Sequence, residues 1–253
     1  MKREKNTIDR RREELYQILM ESSDVQIEDL AKKFHVSEIT IRRDFVHLEK
    51  HSLIKRHYGG YRVLKNQQGS ELIGQCKDQI AKYAASLVEN DDILFINTSS
   101  TAIRMLSYIH KKNVIVITNN ANAINTEFSN GLSVYLTGGE LRYPKAALVG
   151  DFAMRNIQSM RASKCFIGCS GISCEMGMTT QNANEVNINR VMLENTVGGK
   201  YVLADHTKMG MVSSFVSCTI DHISEIITDE LTSKEFIDSF EACGIIVHQA
   251  SLP

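Results

Sequence analysis

Apolar residues recur at helical spacing twice between residues 25 and 50, and a short polar break separates the two stripes. Ile27, Leu30, Ala31 and Phe34 occupy i, i+3, i+4 and i+7, which gives a first helix one apolar face. His35-Val36-Ser37 interrupts the pattern, and Ser37 suits the N-cap of a second helix. There Ile41, Phe45 and Leu48 form the next stripe. With successive residues turned by about 100°, the opposite face carries Ile39, Thr40, Arg43, Val46, His47 and Lys50, with Arg42 on its flank. Upstream, residues 7–22 read as a helix packing Leu15, Ile18 and Leu19 on this pair. Downstream, Leu53 to Val63 alternates like a hairpin with a Gly59-Gly60 turn, and the basic Arg56 and His57 with Tyr58 lie near its tip. The pattern predicts a winged helix-turn-helix over residues 1–63.

Residues 64–70, LKNQQGS, are polar and read as a linker. From Glu71 the texture changes. An amphipathic helix carrying Ile73, Lys77, Ile80, Ala81, Ala84 and Leu87 runs to about residue 89. Short apolar runs follow at 93–96, 114–117, 132–136, 165–167, 201–203, 226–227 and 245–247. They alternate with helical stretches near 101–110, 121–128, 150–160, 183–197 and 232–242. Strands of this kind, each followed by a helix, predict an α/β domain over 71–253 with a mostly parallel sheet covered on both faces.

Charge divides along the same boundary. Residues 1–64 hold 14 Lys+Arg against 11 Asp+Glu, whereas the whole chain carries a net charge of −1. A small basic reader joined to an acidic body fits this asymmetry. The six cysteines show no C-x-x-C pair and no accompanying histidine spacing, so the expectation is reduced core thiols, no metal and no cofactor. Met1-Lys2-Arg3-Glu4-Lys5 leads into no apolar segment, and no apolar run nears the ~18 residues of a membrane span. The expected location is the cytoplasm.

The second helix of the front domain suits the major groove, where Arg can pair bidentately with guanine and basic residues can neutralise phosphates. Arg10-Arg11-Arg12 read either as a solvated charge run or, favoured beside a DNA reader, as phosphate contacts. The same spacing also fits any amphipathic helical pair with a solvated outer face. In the second domain, ligands are expected where strand ends lead into helices. Asn97-Thr98-Ser99-Ser100-Thr101 follows the strand at 93–96, and hydroxyls with free N–H groups at a helix start would cradle phosphate. Such residues also merely cap helices. Thr118-Asn119-Asn120, Gly138-Gly139-Glu140 and Ala204-Asp205-His206-Thr207-Lys208 follow later strands. There glycines would let a ligand approach, while Asp205 and Lys208 would meet hydroxyls and phosphate or simply pair with each other.

The run Val36-Ser37-x-x-Thr40-Ile41-Arg42-Arg43-Asp44, then Leu48-Glu49, then Arg56-His57-x-Gly59-Gly60, closely resembles the DeoR family of bacterial transcriptional regulators. The second domain continues the resemblance in order. It holds Lys77-x-x-Ile80-Ala81, the hydroxyl loop, Thr118-Asn119, Leu136-Thr137-Gly138-Gly139, Val149-Gly150, Phe166-Ile167-Gly168, Gly171-Ile172, Gly177, Glu185 and Ala204-Asp205-x-x-Lys208. The resemblance implies a sensor domain similar in fold to ribose-phosphate isomerase that binds a phosphorylated sugar or related effector. It implies that Ser99, Ser100, Thr101 and Lys208 hold phosphate. Lys77, Glu185 and Asp205 would line the pocket with Asn97, Thr98 and Asn119, and Gly138 and Gly139 would close over it. DNA contacts would come from Ser37, Ile39, Thr40, Arg42, Arg43, His47, Lys50, Arg56, His57 and Tyr58. The partners implied are double-stranded operator DNA, a small effector, and a second or further copies in a homodimer or homotetramer.

The hydroxyl loop departs from the family's Asp-x-Gly-[Ser/Thr]-Thr pattern, because Asn97 replaces an acid and Thr98 stands in the loop. Ser173 also replaces an acid common after Gly-Ile. The rival reading is a sugar-phosphate isomerase or deaminase with an accessory DNA-binding domain. Such an enzyme needs a carboxylate as general base, and the segment Gly168 to Cys174 contains no acid. The expectation is therefore a regulator, a repressor of a carbohydrate-metabolism operon, without catalytic residues.

Overall fold

The computed structural model describes residues 11–12, 14–15, 18–19, 26–50, 54–57, 60–63 and 67–251, with 50–70 described for backbone alone. The chain divides into two compact units, Met1–Leu72 and Ile73–Pro253.

In the first unit, the described residues among 11–19 are helical, followed by helices Ile27–Lys33 and Glu38–Lys50. The two sequence stripes face each other as expected: Leu15, Leu19, Leu30, Ala31, Ile41, Phe45 and Leu48 form one buried cluster. His35, with φ 52°, ends helix Ile27–Lys33 in the left-handed region. His35 N–H then reaches Lys32 O, and Val36 N–H reaches Ala31 O, so orphan carbonyls are satisfied and the chain turns sharply. Ser37 Oγ accepts from Thr40 N–H at 3.3 Å and caps the next helix.

Strands β1 (Ile54–His57) and β2 (Gly60–Val63) pair antiparallel, with His57 opposite Gly60. Gly60 is the first residue of β2, and Gly59 of the expected Gly59-Gly60 turn lies outside the described residues.

Arg11 and Arg12 correct an expectation. Their Nε atoms donate to the two carboxylate oxygens of buried Asp44 at 2.7 and 2.8 Å, so they fasten the first helical segment to helix Glu38–Lys50. A buried carboxylate needs such partners, and these arginines supply them. Arg10 lies outside the described residues.

Residues 67–70, within the expected linker, are the first turn of helix Gln67–Ser86. The second unit is built on a seven-stranded sheet in the order β14-β13-β11-β8-β3-β4-β5. These strands are β3 (Ile93–Ile96), β4 (Val114–Thr118), β5 (Leu132–Leu136), β8 (Lys164–Gly168), β11 (Lys200–Leu203), β13 (Glu225–Asp229) and β14 (Ile246–Ala250). Every neighbouring pair is parallel.

Side chains alternate across the sheet. Phe95, Cys165, Ile167 and Val202 join a core under helices Asp151–Gln158, Ala183–Glu194 and Lys234–Ala242, represented by Ile157, Met192 and Phe240. Leu94, Ile96, Phe166 and Leu203 join the other core, with Ile80 and Ala84 of helix Gln67–Ser86. Burial on both faces explains the continuous apolar runs. The expected helices at 101–110 and 121–128 are instead 3₁₀ turns, Ala102–Ser107 and Ala121–Asn125. Two small antiparallel sheets complete the unit. One pairs β6 (Glu140–Arg142) with β7 (Ala147–Val149). The other is ordered β12-β10-β9, from β9 (Gly171–Ser173), β10 (Gly177–Thr180) and β12 (Phe215–Cys218).

Chain order places β4 and β5 on one side of β3, and the chain then returns to place β8 on its other side. A crevice must open at the carboxyl ends of β3 and β8, where the connections diverge to opposite sides.

Replacing Asp44 by Ala is expected to destabilise the first unit by about 2–3 kcal/mol, because two guanidinium groups lose their acceptor. Denaturant unfolding followed by circular dichroism checks this; an unchanged transition would contradict the role given to the clamp.

Candidate functional sites

The outer face of helix Glu38–Lys50 is open. Ser37, Ile39, Arg42, Arg43 and Val46 are exposed, and Thr40 and His47 half-buried. Ser37 and Thr40 hydroxyls lie 2.9 Å apart, and Arg42 pairs with Glu38 at 3.7 Å. The side chains of Lys50, Arg56 and His57, and all of Tyr58, lie outside the described residues.

The second site is a cavity of about 660 Å³ at the β3/β8 switch point. Asn97 organises its floor. Its Oδ1 accepts from Gly168 N–H at 3.0 Å and Ser99 N–H at 3.2 Å. Its Nδ2 donates to Gly168 O at 2.9 Å and to Asn189 Oδ1 at 3.0 Å. The amide thus uses both its acceptor directions and both its donors on the protein. Asn97 lines the cavity but staples β3 to β8 and helix Ala183–Glu194, a use for which a carboxylate lacks the donors. Gly168 is needed at the same junction, since a Cβ there would lie 1.9 Å from Ser99 Oγ.

Thr98, Ser99, Ser100, Glu185 and Lys208 also line this cavity. In the hydroxyl loop several of the backbone N–H groups are already used by the chain. Ser99 Oγ accepts from Thr101 and Ala102 N–H at 3.1 and 3.2 Å, and Ser99 O takes Ile103 N–H. A six-residue 3₁₀ turn also lacks the aligned dipole of a longer α-helix. Hydroxyl hydrogens and cationic side chains are left to meet an anion. Lys77 is not among the lining residues but places Nζ 3.4 Å from Ser100 Oγ, while Lys208 and Arg104 line the cavity. Arg104 is held by Asp78 at 2.7 Å and Lys208 by Asp205 at 3.5 Å.

Several expected residues stand elsewhere. Thr101 is wholly buried and does not line the cavity. Asn119 points away, donating to Leu148 O at 3.3 Å, and its neighbour Asn120 lines the cavity instead. Alternation at the end of β4 makes that exchange. Gly138 and Gly139 lie outside the lining. A Cβ on Gly139, φ 108°, would meet Val149 O at 2.4 Å. The close approach it permits is therefore to the chain's own backbone. Asp205 is buried behind Lys208, bonded to the Thr207 hydroxyl and backbone N–H.

The sequence reading missed the far wall of the cavity: Asn122, Pro144, Lys145, Thr180 and Gln181. Lys145 reaches buried Glu185 at 3.2 Å, and Thr180 Oγ1 donates to the same carboxylate at 2.9 Å. Pro144 is the one proline before the C-terminal residue and was the available signal.

Burial alone would raise the Asp205 carboxyl, but the Lys208 charge, the Thr207 hydroxyl and Lys77 outweigh it and hold it below its ordinary value. Lys77 is lowered, first by burial and then by Lys208, with Asp205 opposing and Arg104 adding to the fall. Elsewhere, Cys76, His206 and Asp229 bring ligand-type atoms within 4.8 Å of one another. Asp229 already accepts from His206 N–H, Leu231 N–H and the His206 ring, and burial beside Asp229 and Asp205 pushes the Cys76 thiol up to about 11.

Comparison with known proteins follows the same division. The DeoR-like helix-turn-helix domain matches residues 11–67, and the DeoR C terminal sensor domain matches residues 74–230. The chain is 31% identical to the HTH-type transcriptional regulator GolR of Listeria innocua serovar 6a, over 94% of this chain and 96% of that protein. It is 26% identical to the lactose phosphotransferase system repressor of Staphylococcus epidermidis, over 91% and 96% respectively. A D-ribose-5-phosphate isomerase in complex with phospho-erythronic acid aligns with 52% of each chain at 12% identity and a TM-score of 0.38.

Substituting Asn97→Asp is expected to destabilise the second unit by about 1–3 kcal/mol at neutral pH, because an ionised carboxylate would face the Gly168 carbonyl. The introduced carboxyl would have its pKa raised by that contact. The destabilisation should therefore fall away below about pH 4, where folded and unfolded forms are both protonated. A destabilisation equal at neutral and acid pH, measured against wild type, would contradict the staple.

Proposed function

The chain belongs to the DeoR family of transcriptional regulators, and from that premise we propose that it represses a carbohydrate-metabolism operon under the control of a phosphorylated sugar. The carrying observation is the gathering of Lys77, Arg104 and Lys208 around the Ser99-Ser100 hydroxyls, against the two neighbouring acids Asp78 and Asp205. That end holds one positive charge in excess and suits a dianionic phosphate monoester. The other end, with Asn120, Asn122, Gln181 and the Lys145–Glu185 pair, offers donors and acceptors for hydroxyls. The lactose repressor among the relatives supports a sugar-linked role.

In this reading Ser37, Ile39, Thr40, Arg42, Arg43, His47 and Lys50, with Arg56, His57 and Tyr58 of the wing, contact operator DNA. Ser99, Ser100, Lys77 and Lys208 contact the effector, with Thr98 and Glu185 beside it. Asn97, Thr101, Asn119, Gly138, Gly139 and Asp205 shape the site from behind. The chain acts in the cytoplasm as a homodimer or homotetramer, and a two-fold pair would read half-sites about 34–36 Å apart or a multiple of that. No helix among the described residues is long and apolar enough to cross a membrane.

The cavity acts as a sensor rather than an active site in this proposal. Glu185 is already engaged by Lys145, Thr180 and Asn182. Asp205 is held ionised behind Lys208. Both carboxylates are paired with lysines of the chain, which disfavours a role as general base. The effector must bind two arrangements of the chain unequally to change operator affinity.

A panel of sugars with and without phosphate tests this by thermal shift. At about 100 times Kd, the correct phosphorylated sugar should add about 2.7 kcal/mol. Lys208→Ala should lose that shift while retaining DNA binding without effector; a shift given equally by unphosphorylated sugars would contradict the site. Arg43→Ala should weaken operator binding by about 1–3 kcal/mol and relax base preference, if its guanidinium pairs with guanine. Quantitative footprinting reads both effects, and an unchanged footprint removes Arg43 from the base-reading group.

A further inference from the structure

The helix with the arginine-rich face also exposes two large apolar side chains. Ile39 is 63% and Val46 57% exposed, while Ile41, Phe45 and Leu48 of the same helix are buried. Helical spacing puts Ile39, Arg43 and Val46 on one ridge at i, i+4 and i+7. Branched apolar residues on the outermost line of a helix leave hydrophobic surface in water without a folding benefit. Arg42 and Arg43, both exposed, flank them, which disfavours an apolar protein partner and suits a polyanion.

In the major groove the only apolar group on a base edge is the thymine 5-methyl, and contact with it distinguishes T from C and from the purines. Ile39 and Val46 stand about 10.5 Å apart along the helix axis, close to three base-pair steps of about 3.4 Å. We propose that Ile39 and Val46 read thymine methyl groups on either side of the base pair reached by Arg43. The half-site would then require methyl-bearing bases at two positions about three base pairs apart. This assignment rests on the DNA-reading role given above to helix Glu38–Lys50.

The test uses the full chain and a duplex enriched from a randomised pool, in which each thymine is replaced singly by uracil. Pairing is unchanged and only the methyl is lost. The wild-type chain should lose about fourfold in affinity at two such positions, the worth of one methylene-sized group removed from an apolar contact. Val46→Ala should become indifferent to uracil at one of them and Ile39→Ala at the other, while the remaining position stays sensitive. Both side chains are exposed, so the variants should keep the wild-type unfolding transition.

Uracil tolerated at every position, or sensitivity unaltered in both variants, overturns the proposal while leaving DNA recognition itself intact. Failure to enrich any duplex defeats the DNA-reading role and this assignment together. A changed sedimentation behaviour of the double variant, with an unaltered uracil profile, assigns the ridge to a protein contact and also overturns it.

Discussion

The sensor unit depends on one side-chain amide. Asn97 leaves β3 where neighbouring connections part to opposite sides, and its four hydrogen bonds join that strand end to β8 and to helix Ala183–Glu194. A switch point in a parallel sheet is a gap by construction. Without a bridge, the ends of β3 and β8 would present unpaired polar groups to a buried crevice. Asn97 supplies the bridge, and Ser99 fits against Gly168 only because no Cβ intervenes. The cavity is the space that remains above this joint.

The second determinant is an electrostatic imbalance held in place by covalent order. Lys77 comes from helix Gln67–Ser86, Arg104 from the 3₁₀ turn after β3, and Lys208 from the turn after β11. Parallel topology brings three separate segments to one edge of the sheet. Acids fix two of the three cations. Lys77 meets a hydroxyl and is lowered by burial and by like charge. Three cations against two acids leave a positive excess there.

The division into a helical reader and an α/β body was legible because both follow from periodicity. Ile41, Phe45 and Leu48 are buried as their spacing required, and the continuous apolar runs are strands covered on both faces. What spacing could not reveal was direction and saturation. Arg11 and Arg12 looked like phosphate contacts until Asp44 proved to be their partner. Asn119 and Asn120 are adjacent in sequence, yet only the pleat decides which faces the cavity. Gly138 and Gly139 announced a close approach, but not that the chain approaches itself. The far wall, with Lys145 and Thr180, belongs to short irregular segments whose pattern carries little periodic signal.

The central proposal is that the cations about the Ser99-Ser100 hydroxyls receive a phosphate dianion. Calorimetric titration of the full chain with the stabilising sugar phosphate, in alkaline buffers of different ionisation enthalpy just below the ordinary lysine value of 10.5, measures this directly. A depressed lysine is partly neutral in that window, and a bound anion raises its pKa. Binding should therefore take up protons, and Lys77→Met should reduce the uptake. Undiminished binding with no proton exchange, or with proton release, would contradict the account.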